Sequence, residues 1–381
     1  MKPSSFPLSR RTVLGLGLAP LAPAVLAQTA ADNEIRIGQS CQLSGPLAGL
    51  TSDVRLGASL YFDSVNASVG VRGRKIRVIA LDDAYDAGRA AGNTRKLIEE
   101  EKVLALFQYA GTPPALAALP IAEEHGVPFV SPFTGSDTLR QKSNRYVFNI
   151  RAGYGAELDA MAKHMATVGL TRIAAVYLNN SFGTSGLAAL EKSLEQYKLT
   201  LLAKAPLEMD GGKLAQAVAA TAAKEPQAVV VISAGQPSLD FLRAYADAGH
   251  YTTFYMLSVT SNVHLAKALG ERARGVVVSQ VVPAPWNGSV AVSREFQKLA
   301  AAKGLGEHSF SQMEGFLAAK LLVEALQRAG TKLTREGLVD ALESLRNFDL
   351  GGFPVALSPA QHSSARYVDL LIVGRGGKFA R

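Results

Sequence analysis

The stretch from Val103 to Arg140 constrains the fold of this chain more than any other. It begins with an apolar run at 103–107 and continues through a Gly-Thr-Pro-Pro turn into an apolar-faced helical segment at 115–125. A second apolar run, 127–130, ends in Ser-Pro-Phe-Thr-Gly. Short, fully apolar strands separated by one helix are typical of a parallel βαβ unit that is buried on both faces. The stretch therefore predicts part of a parallel sheet covered by helices.

Two small polar loops, Ala110-Gly111-Thr112 and Phe133-Thr134-Gly135, leave the carboxyl ends of these predicted strands. The carboxyl ends of strands in an open parallel sheet border the binding crevice. We expect free backbone N–H groups in both loops. Helix starts just beyond Thr112 and Ser136 would add partial positive charge for an anion such as a carboxylate. We therefore expect the two loops to bind a ligand.

The alternation of short strands and amphipathic helices fills most of the chain. Four βα units precede residue 150, and a second series begins with a helix at 156–168 and a strand at 172–177. Each series predicts an open, mostly parallel sheet with helices on both faces. A chain of 381 residues is long enough for two such lobes. The predicted fold is α/β, with two doubly wound Rossmann-like lobes and a cleft between them.

Three helical patterns and two β-like runs follow residue 278. The simplest interpretation is that these segments add to the two lobes already formed. The chain would then cross between the lobes several times at a hinge. We expect lobe 1 to contain residues 34–150 and about 279–348, and lobe 2 to contain residues 151–278 and about 349–381.

Residues 1–27 have the pattern of an export signal. Arg10 and Arg11 form a twin-arginine pair that leads into the apolar residues 13–26, and Val25-Leu26-Ala27 offers the small residues at which a signal peptidase cuts. The apolar stretch is shorter than the roughly 20 residues that a membrane span needs. We expect the signal to be removed and a soluble monomer to act in the periplasm.

The mature chain carries a modest positive charge. The net charge of the whole sequence is +8, and loss of the three cations Lys2, Arg10 and Arg11 would leave +5. The basic residues are scattered rather than interleaved with aromatic residues, so no nucleic-acid surface is predicted. The single cysteine, Cys41, permits no internal disulfide.

The sequence lacks the motifs of common catalytic and metal sites. It has no Gly-x-x-x-x-Gly-Lys-Ser/Thr loop, and its six histidines show no His-Glu-x-x-His spacing. Gly183-Thr184-Ser185-Gly186 does not match the Gly-x-Ser-x-Gly elbow, and its better interpretation is a helix start capped by Thr184 or Ser185. We predict no enzyme activity, no cofactor and no metal.

Two adjacent carboxylates, Asp82 and Asp83, end the second predicted strand. Paired carboxylates can perform acid–base chemistry. The favoured interpretation is structural, with Asp83 or Asp86 capping the helix that begins near Ala87.

The exit loops of both lobes offer hydroxyl groups, glycine backbone and aromatic rings along the predicted cleft. Each such residue is ordinary alone, and their shared position at the cleft edge is what indicates binding without chemical conversion. The residues expected to contact a ligand are Ser44, Tyr109, Gly111, Thr112, Phe133, Thr134, Gly135, Tyr154, Phe182, Gln236 and Ser258.

Four motifs in the chain occur together in a known family. They are Ile35-Arg-Ile-Gly with Leu43-Ser44-Gly45-Pro46, Asp82-Asp83-Ala84-Tyr85-Asp86, Gly126-Val-Pro-Phe-Val-Ser-Pro132, and Ser181-Phe182-Gly183. In this order the chain resembles the periplasmic substrate-binding proteins of branched-chain amino acid ABC transporters, the leucine/isoleucine/valine-binding family with the type I periplasmic binding fold. The resemblance covers about residues 34–373. It implies capture of a small solute between the lobes and delivery to a membrane permease.

The resemblance also implies ligand contacts. The family's carboxylate-binding loops match Gly111-Thr112 and Phe133-Thr134-Gly135, and its second-lobe aromatic residue matches Phe182. Leu50 stands where the family often has a tyrosine, and it becomes a further candidate contact. The acidic partner of a ligand ammonium should fall near Ser258, but residues 251–267 contain no acidic residue. A buried ammonium without a partner costs about 3–5 kcal/mol, so we expect a carboxylate ligand without the amine.

A ligand-sensing regulatory receptor on the same fold is the alternative function. Such a protein normally needs a partner or an attached output domain, and the sequence shows neither a helix-turn-helix nor a membrane segment. The importer component is therefore the favoured hypothesis.

Overall fold

The computed structural model describes residues 1, 33–142, 144–331, 333–364, 367–375 and 379–380. The predicted export signal, 1–27, lies outside the described residues apart from Met1. Within the described ranges, no helix combines the length and the apolar character that crossing a bilayer requires.

Lobe 1 is built on a parallel sheet with the strand order β2-β1-β3-β4-β5. The strands are β1 (Glu34–Cys41), β2 (Lys75–Asp82), β3 (Ala105–Phe107), β4 (Phe129–Val130) and β5 (Val147–Phe148). Helices α1 (Ala48–Ala67), α2 (Ala87–Glu99) and α3 (Thr112–Glu124) connect the first four strands. In register, Ile37 of β1 lies beside Val78 on one side and Ala105 on the other. The strand order reverses at β1, so the loops after β1 and β3 border a crevice at the carboxyl edge.

Lobe 2 repeats this architecture with a seven-stranded sheet. The strands that run parallel are β6 (Arg172–Leu178), β7 (Thr200–Leu207), β8 (Ala228–Ile232), β9 (Thr253–Met256) and β10 (Val277–Gln280). The connecting helices are α4 (Tyr154–Thr167), α5 (Ser181–Gln196), α6 (Leu214–Ala222), α7 (Gln236–Asp247) and α8 (Asn262–Leu269). The predicted α/β fold of two lobes is confirmed.

Three later helices complete the core of lobe 1. They are α9 (Ala291–Ala302), α10 (Phe310–Arg328) and α11 (Arg335–Glu343). Helix α10 packs backbone to backbone on α1, because a Cβ atom on Gly57 would lie 1.7 Å from the carbonyl oxygen of Gln312, and one on Gly315 would lie 2.0 Å from that of Val54. Glycine at these two positions is therefore what lets the helices approach so closely.

The segment after residue 347 bears on the last crossover between the lobes, which the sequence predicts near 349. A two-stranded hairpin, β11 (Phe348–Asp349) and β12 (Pro354–Val355), puts Phe353, Val355 and Leu357 into the core of lobe 1. The strands β13 (Asp369–Val373) and β14 (Phe379–Ala380) then extend the lobe 2 sheet in antiparallel fashion. Strand β10 of lobe 2 ends at Gln280. The chain therefore leaves lobe 2 after residue 280, close to the predicted start of the second lobe 1 segment at about 279. We propose that lobe 1 takes its C-terminal segment up to about residue 364.

The predicted helix caps have different outcomes. Asp86 caps α2 by accepting a hydrogen bond from the backbone N–H of Arg89 at 2.7 Å. The sequence predicts a cap by Asp83 or Asp86, and Asp86 is the residue that provides it. The predicted cap of α5 by Thr184 or Ser185 is wrong, because this helix begins at Ser181. Its cap is Asn180, whose side chain accepts from the N–H groups of Phe182 and Gly183.

Candidate ligand-binding site

A narrow pocket lies between the carboxyl edges of the two sheets. The lining residues are Gln42, Leu47, Leu50, Tyr85, Ala110, Gly111, Thr112 and Phe133 from lobe 1, and Tyr154, Phe182, Ala234 and Val259 from lobe 2. The cavity has a volume of about 20 Å³, which is room for a single water molecule. The lobes are therefore closed on each other in this structure, and they would have to separate to admit a ligand larger than water.

A pair of hydroxyl groups contributes to the polar part of the lobe 1 wall, where Thr112 lines the pocket and Thr134 lies behind it. The Thr112 and Thr134 hydroxyl oxygens lie 2.7 Å apart, and Thr134 also accepts from the backbone N–H of Ser136 at 3.2 Å. Gly111 has φ 100°, and a Cβ atom there would lie 2.3 Å from the Tyr85 ring. Only glycine therefore fits between the threonine pair and this aromatic wall.

The helix starts offer fewer backbone donors than the sequence predicts. Helix α3 begins at Thr112, and the following residues, Pro113 and Pro114, have no N–H group. Ser136 leads into a single 3-10 turn, Asp137–Arg140, and not into an α-helix. A ligand carboxylate at this wall would therefore depend on the Thr112 N–H and on the two hydroxyl groups.

Aromatic rings close the pocket from both lobes. The rings of Tyr154 and Phe182 lie 5.0 Å apart, centroid to centroid. Burial raises the pKa of Tyr85 and the pKa of Tyr154, so both hydroxyls stay protonated and can donate. The Asn180 side chain of lobe 2 lies close enough to the Tyr85 hydroxyl to oppose the rise of its pKa.

A buried charge cluster lies beside the pocket and connects the lobes. The Arg151 guanidinium contacts Glu157 of α4 at 3.1 Å and Glu314 of α10 at 3.3 Å. The guanidinium carbon Cζ of Arg151 lies 5.3 Å from the centroid of the Phe133 ring and 5.6 Å from that of the Tyr154 ring. Arg151 therefore packs against two aromatic residues of the pocket wall. Burial lowers the pKa of Arg151, but the Glu314 and Glu157 carboxylates outweigh burial and hold the pKa above its ordinary value. Burial raises the pKa of Glu314, and Arg151 opposes that rise.

Direct contacts across the cleft hold the closed arrangement. Asp53 of α1 accepts a hydrogen bond from the Ser261 hydroxyl at 3.1 Å, and the Asn262 side chain accepts from the Phe310 N–H at 3.2 Å. Gly235, at φ 65°, packs on Leu47, since a Cβ atom there would lie 2.3 Å from Leu47 Cδ2. The mouth of the cleft is therefore closed by both polar and apolar contacts.

The comparison with protein families matches residues 34–378 to the periplasmic binding protein family. The chain belongs to this family. A Leu/Ile/Val-binding protein homolog of Brucella suis biovar 1 is 28% identical over 252 residues, and the match covers 63% of this chain and 61% of the relative. The chain thus spans about half to three fifths of the length of the curated relatives it matches.

Two solved structures of similar proteins superpose on nearly the whole chain. A substrate-binding periplasmic protein from Ralstonia solanacearum is 32% identical with a TM-score of 0.84, covering 89% of this chain and 98% of that one. A possible leucine/isoleucine/valine-binding protein from Rhodopirellula baltica is 28% identical with a TM-score of 0.85, and the match covers 92% of this chain and 97% of that one. Both neighbours agree with the type I periplasmic binding fold that the sequence motifs predict.

Half of the predicted contact residues of this periplasmic binding protein line the pocket. They are Leu50, Gly111, Thr112, Phe133, Tyr154 and Phe182. Two further predicted residues support these from behind: Thr134 bonds to Thr112, and the Gly135 carbonyl accepts from the Tyr154 N–H at 2.7 Å.

Four predicted contacts lie outside the pocket. Ser44 is exposed and donates to Asp82 at 2.8 Å, and Tyr109 is fully buried in the lobe 1 core beside Thr94. Gln236 lines a separate surface pocket at the cleft mouth and donates to Asp240. Ser258 is buried against the charge cluster, where its hydroxyl accepts from Arg151. These side chains are turned away because each has a partner of its own.

Sequence reasoning missed other lining residues. They are Gln42, Leu47, Tyr85, Ala110, Ala234 and Val259. Each of them lies in a strand-exit loop or within a turn of one, which is the signal that could have found them. Among the described residues, no group of histidine, cysteine or acidic side chains is arranged to hold a metal ion.

Proposed function

We propose that this periplasmic binding protein captures a small apolar carboxylate between its lobes and delivers it to the permease of an ABC importer. The observation that carries the proposal is the pocket itself, which combines apolar and aromatic walls with the Thr112–Thr134 hydroxyl pair. Hydroxyl groups and a backbone N–H at a helix start suit a carboxylate. The twin-arginine pattern of residues 1–27 supports export to the periplasm as part of this proposal.

The charges around the pocket favour a ligand without an amine. No acidic side chain is among the described residues that line the cavity. Glu157 lies near Ser258, where the family resemblance implies an ammonium partner, and it accepts the Ser258 N–H at 2.9 Å. Its carboxylate is already bound by Arg151 and by the Ser279 hydroxyl. A ligand ammonium would have to compete with Arg151 for this carboxylate.

Calorimetry with a matched pair of ligands tests the proposal. Leucine and 4-methylpentanoate have the same carbon skeleton and differ by the amine alone. We expect protein that has been unfolded, washed and refolded to bind 4-methylpentanoate at least about tenfold more tightly than leucine. The reason is that an ammonium without its own partner should cost at least about 1.4 kcal/mol, which is a factor of ten in Kd. Tighter binding of leucine would contradict the ligand class, and no response to any small carboxylate would overturn the proposed function.

The threonine pair should be essential for this affinity. Thr112→Val removes one donor to the carboxylate, and a hydrogen bond to a charged group contributes about 1.5–3 kcal/mol. We therefore expect binding to weaken about 10- to 150-fold. Ser44→Ala is the matched control, because Ser44 is a cleft-edge hydroxyl outside the pocket. Equal losses in both variants would count against a carboxylate at Thr112.

A further inference from the structure

A groove lined by cationic side chains lies at the end of lobe 1 opposite the ligand pocket. It follows the amino-terminal ends of β1 and β3 and the start of α11, and its volume is about 510 Å³. Among the residues that the structure describes, the charged side chains that line this basic groove are those of Arg36, Arg74, Lys102, Arg335 and Glu34. The pocket and the basic groove are separate because the strands run parallel from one to the other.

Two guanidinium groups are fixed on either side of Lys102. Arg36 Nη1 donates to the carbonyl oxygen of Glu101 at 3.2 Å, and Arg335 Nη2 donates to that of Val103 at 3.1 Å. Arg335 Nη1 also donates to the carbonyl oxygen of His125 at 3.2 Å. Three cationic side chains therefore converge on the loop of residues 101–103, and backbone carbonyl groups hold two of them in place.

Three cations of the groove lack a carboxylate partner among the described residues. Arg36, Lys102 and Arg335 form no ion pair within the part of the chain that the structure describes. Glu34 is engaged with Arg77 at 3.4 Å. Burial lowers the pKa of Arg335, as it does for a cation that has lost part of its hydration. An anion in the groove would compensate this charge.

The start of α11 adds to the positive potential. Thr334 caps this helix through the Gly337 N–H at 3.0 Å, and both Thr334 and Arg335 line the groove. A helix N-terminus carries about half a unit of positive charge. The described residues that line the groove include no aromatic side chain, so they offer no stacking platform of the kind that single-stranded nucleic acid requires.

We propose that the basic groove binds a phosphate group. Guanidinium groups match the oxygens of a phosphate through forked hydrogen bonds, and a phosphate carries more than one negative charge to set against several cations. The same chemistry could come from a free phosphate-bearing anion or from the headgroup of an anionic phospholipid at the membrane surface.

Two binding measurements on the processed, full-length protein separate these sources. Inorganic phosphate is titrated by calorimetry, and co-sedimentation is measured with phosphatidylglycerol vesicles and with phosphatidylcholine vesicles. Lys102→Asn is the test variant and Lys198→Asn is its control. Both lysines are exposed and have positive φ, 52° and 58°, which asparagine tolerates, but Lys198 lies on lobe 2. We expect Lys102→Asn to weaken binding about fivefold and Lys198→Asn to leave it unchanged.

Each result has a defined meaning. Phosphate binding that follows this variant pattern identifies a free anion, and the same pattern with phosphatidylglycerol vesicles alone identifies the lipid headgroup. Binding of neither, equal loss in both variants, or equal sedimentation with phosphatidylcholine overturns the proposal. Arg36→Gln is a second test variant in case Lys102→Asn lowers the melting temperature, since glutamine can still donate to the Glu101 carbonyl while removing the charge. Unchanged phosphate and vesicle binding by a folded Arg36→Gln variant would also overturn the proposal.

Discussion

Cys41 shows how burial controls the chemistry of one side chain. It is the last residue of β1 and is fully buried. Burial raises the pKa of its thiol to about 12, so the reactive thiolate is scarce at neutral pH. We expect the native protein to resist alkylation by iodoacetamide at pH 8 for hours, whereas the unfolded chain should react within minutes.

Mass spectrometry with and without denaturant measures this directly. One label per chain in 6 M guanidinium chloride and none in buffer is the expected result. Rapid, complete labelling of the native protein would show that β1 opens easily at the pocket. Cys41→Ser is the control for labelling at any other group.

The direction of single side chains in the exit loops could not be predicted from the sequence. Tyr109 and Ala110 are neighbours, yet Tyr109 packs on Phe129 in the core and Ala110 lines the pocket. Tyr85 reaches the pocket because Ala84 and Tyr85 both have positive φ, 46° and 66°. Apolar periodicity locates the strand ends, but it has no signal for such left-handed residues.

Helix α5 depends on the cap that Asn180 provides. Asn180→Ala leaves the Phe182 and Gly183 N–H groups without their acceptor, and loss of such a cap costs about 0.5–2 kcal/mol. We expect the free energy of unfolding, measured by urea titration, to fall by about 1 kcal/mol. Ser185→Ala is the control, because the Ser185 hydroxyl donates to the Ser181 carbonyl inside the helix, and its loss should change stability by less than about 0.5 kcal/mol.

A larger effect of Ser185→Ala would contradict the observed helix start. The sequence placed this start too late because Gly183 and Gly186 look like turn residues. They lie inside the helix for a packing reason: a Cβ atom on Gly183 would lie 1.8 Å from the Leu178 carbonyl oxygen, and one on Gly186 would lie 2.5 Å from Ile232. These glycines let α5 approach β6 and β8, which only the tertiary structure reveals.

At the scale of the whole molecule, closure depends on the contact of Gly235 with the opposite lobe. Gly235→Ala would place a Cβ atom 2.3 Å from Leu47 Cδ2 and 2.7 Å from the Pro46 carbonyl oxygen. The lobes must then separate, so we expect a larger radius of gyration for the ligand-bound protein in X-ray scattering. We also expect about tenfold weaker binding of the carboxylate, because the closed state becomes a smaller fraction.

Gly249→Ala is the matched control for this variant. Gly249 also has positive φ, 81°, but no atom lies within 4 Å of the position of its Cβ. It should therefore report backbone strain without hindering closure. The same loss of affinity in both variants would mean that strain, and not lobe separation, weakens binding.

The two-lobe architecture was predictable because its signals are local. Apolar runs such as 228–232 and amphipathic helices between them identify each βα unit without knowledge of the rest of the chain. The last crossover and the charge cluster were not predictable. The crossover depends on the packing of Phe353 in the lobe 1 core, and the charge cluster depends on the ion pair of Glu314 with Arg151. These contacts join residues that are far apart in the sequence, so no local pattern predicts them.

The glycine contact between α1 and α10 has a consequence for biosynthesis. Translation delivers α1, residues 48–67, long before α10, residues 310–328, so the ribosome releases most of lobe 2 while α1 still lacks its neighbour. The first lobe to be translated is thus completed only after most of the second lobe has been made. In a nascent polypeptide that ends before residue 310, the apolar face of α1 would lack its packing partner and would be available for chaperones to bind.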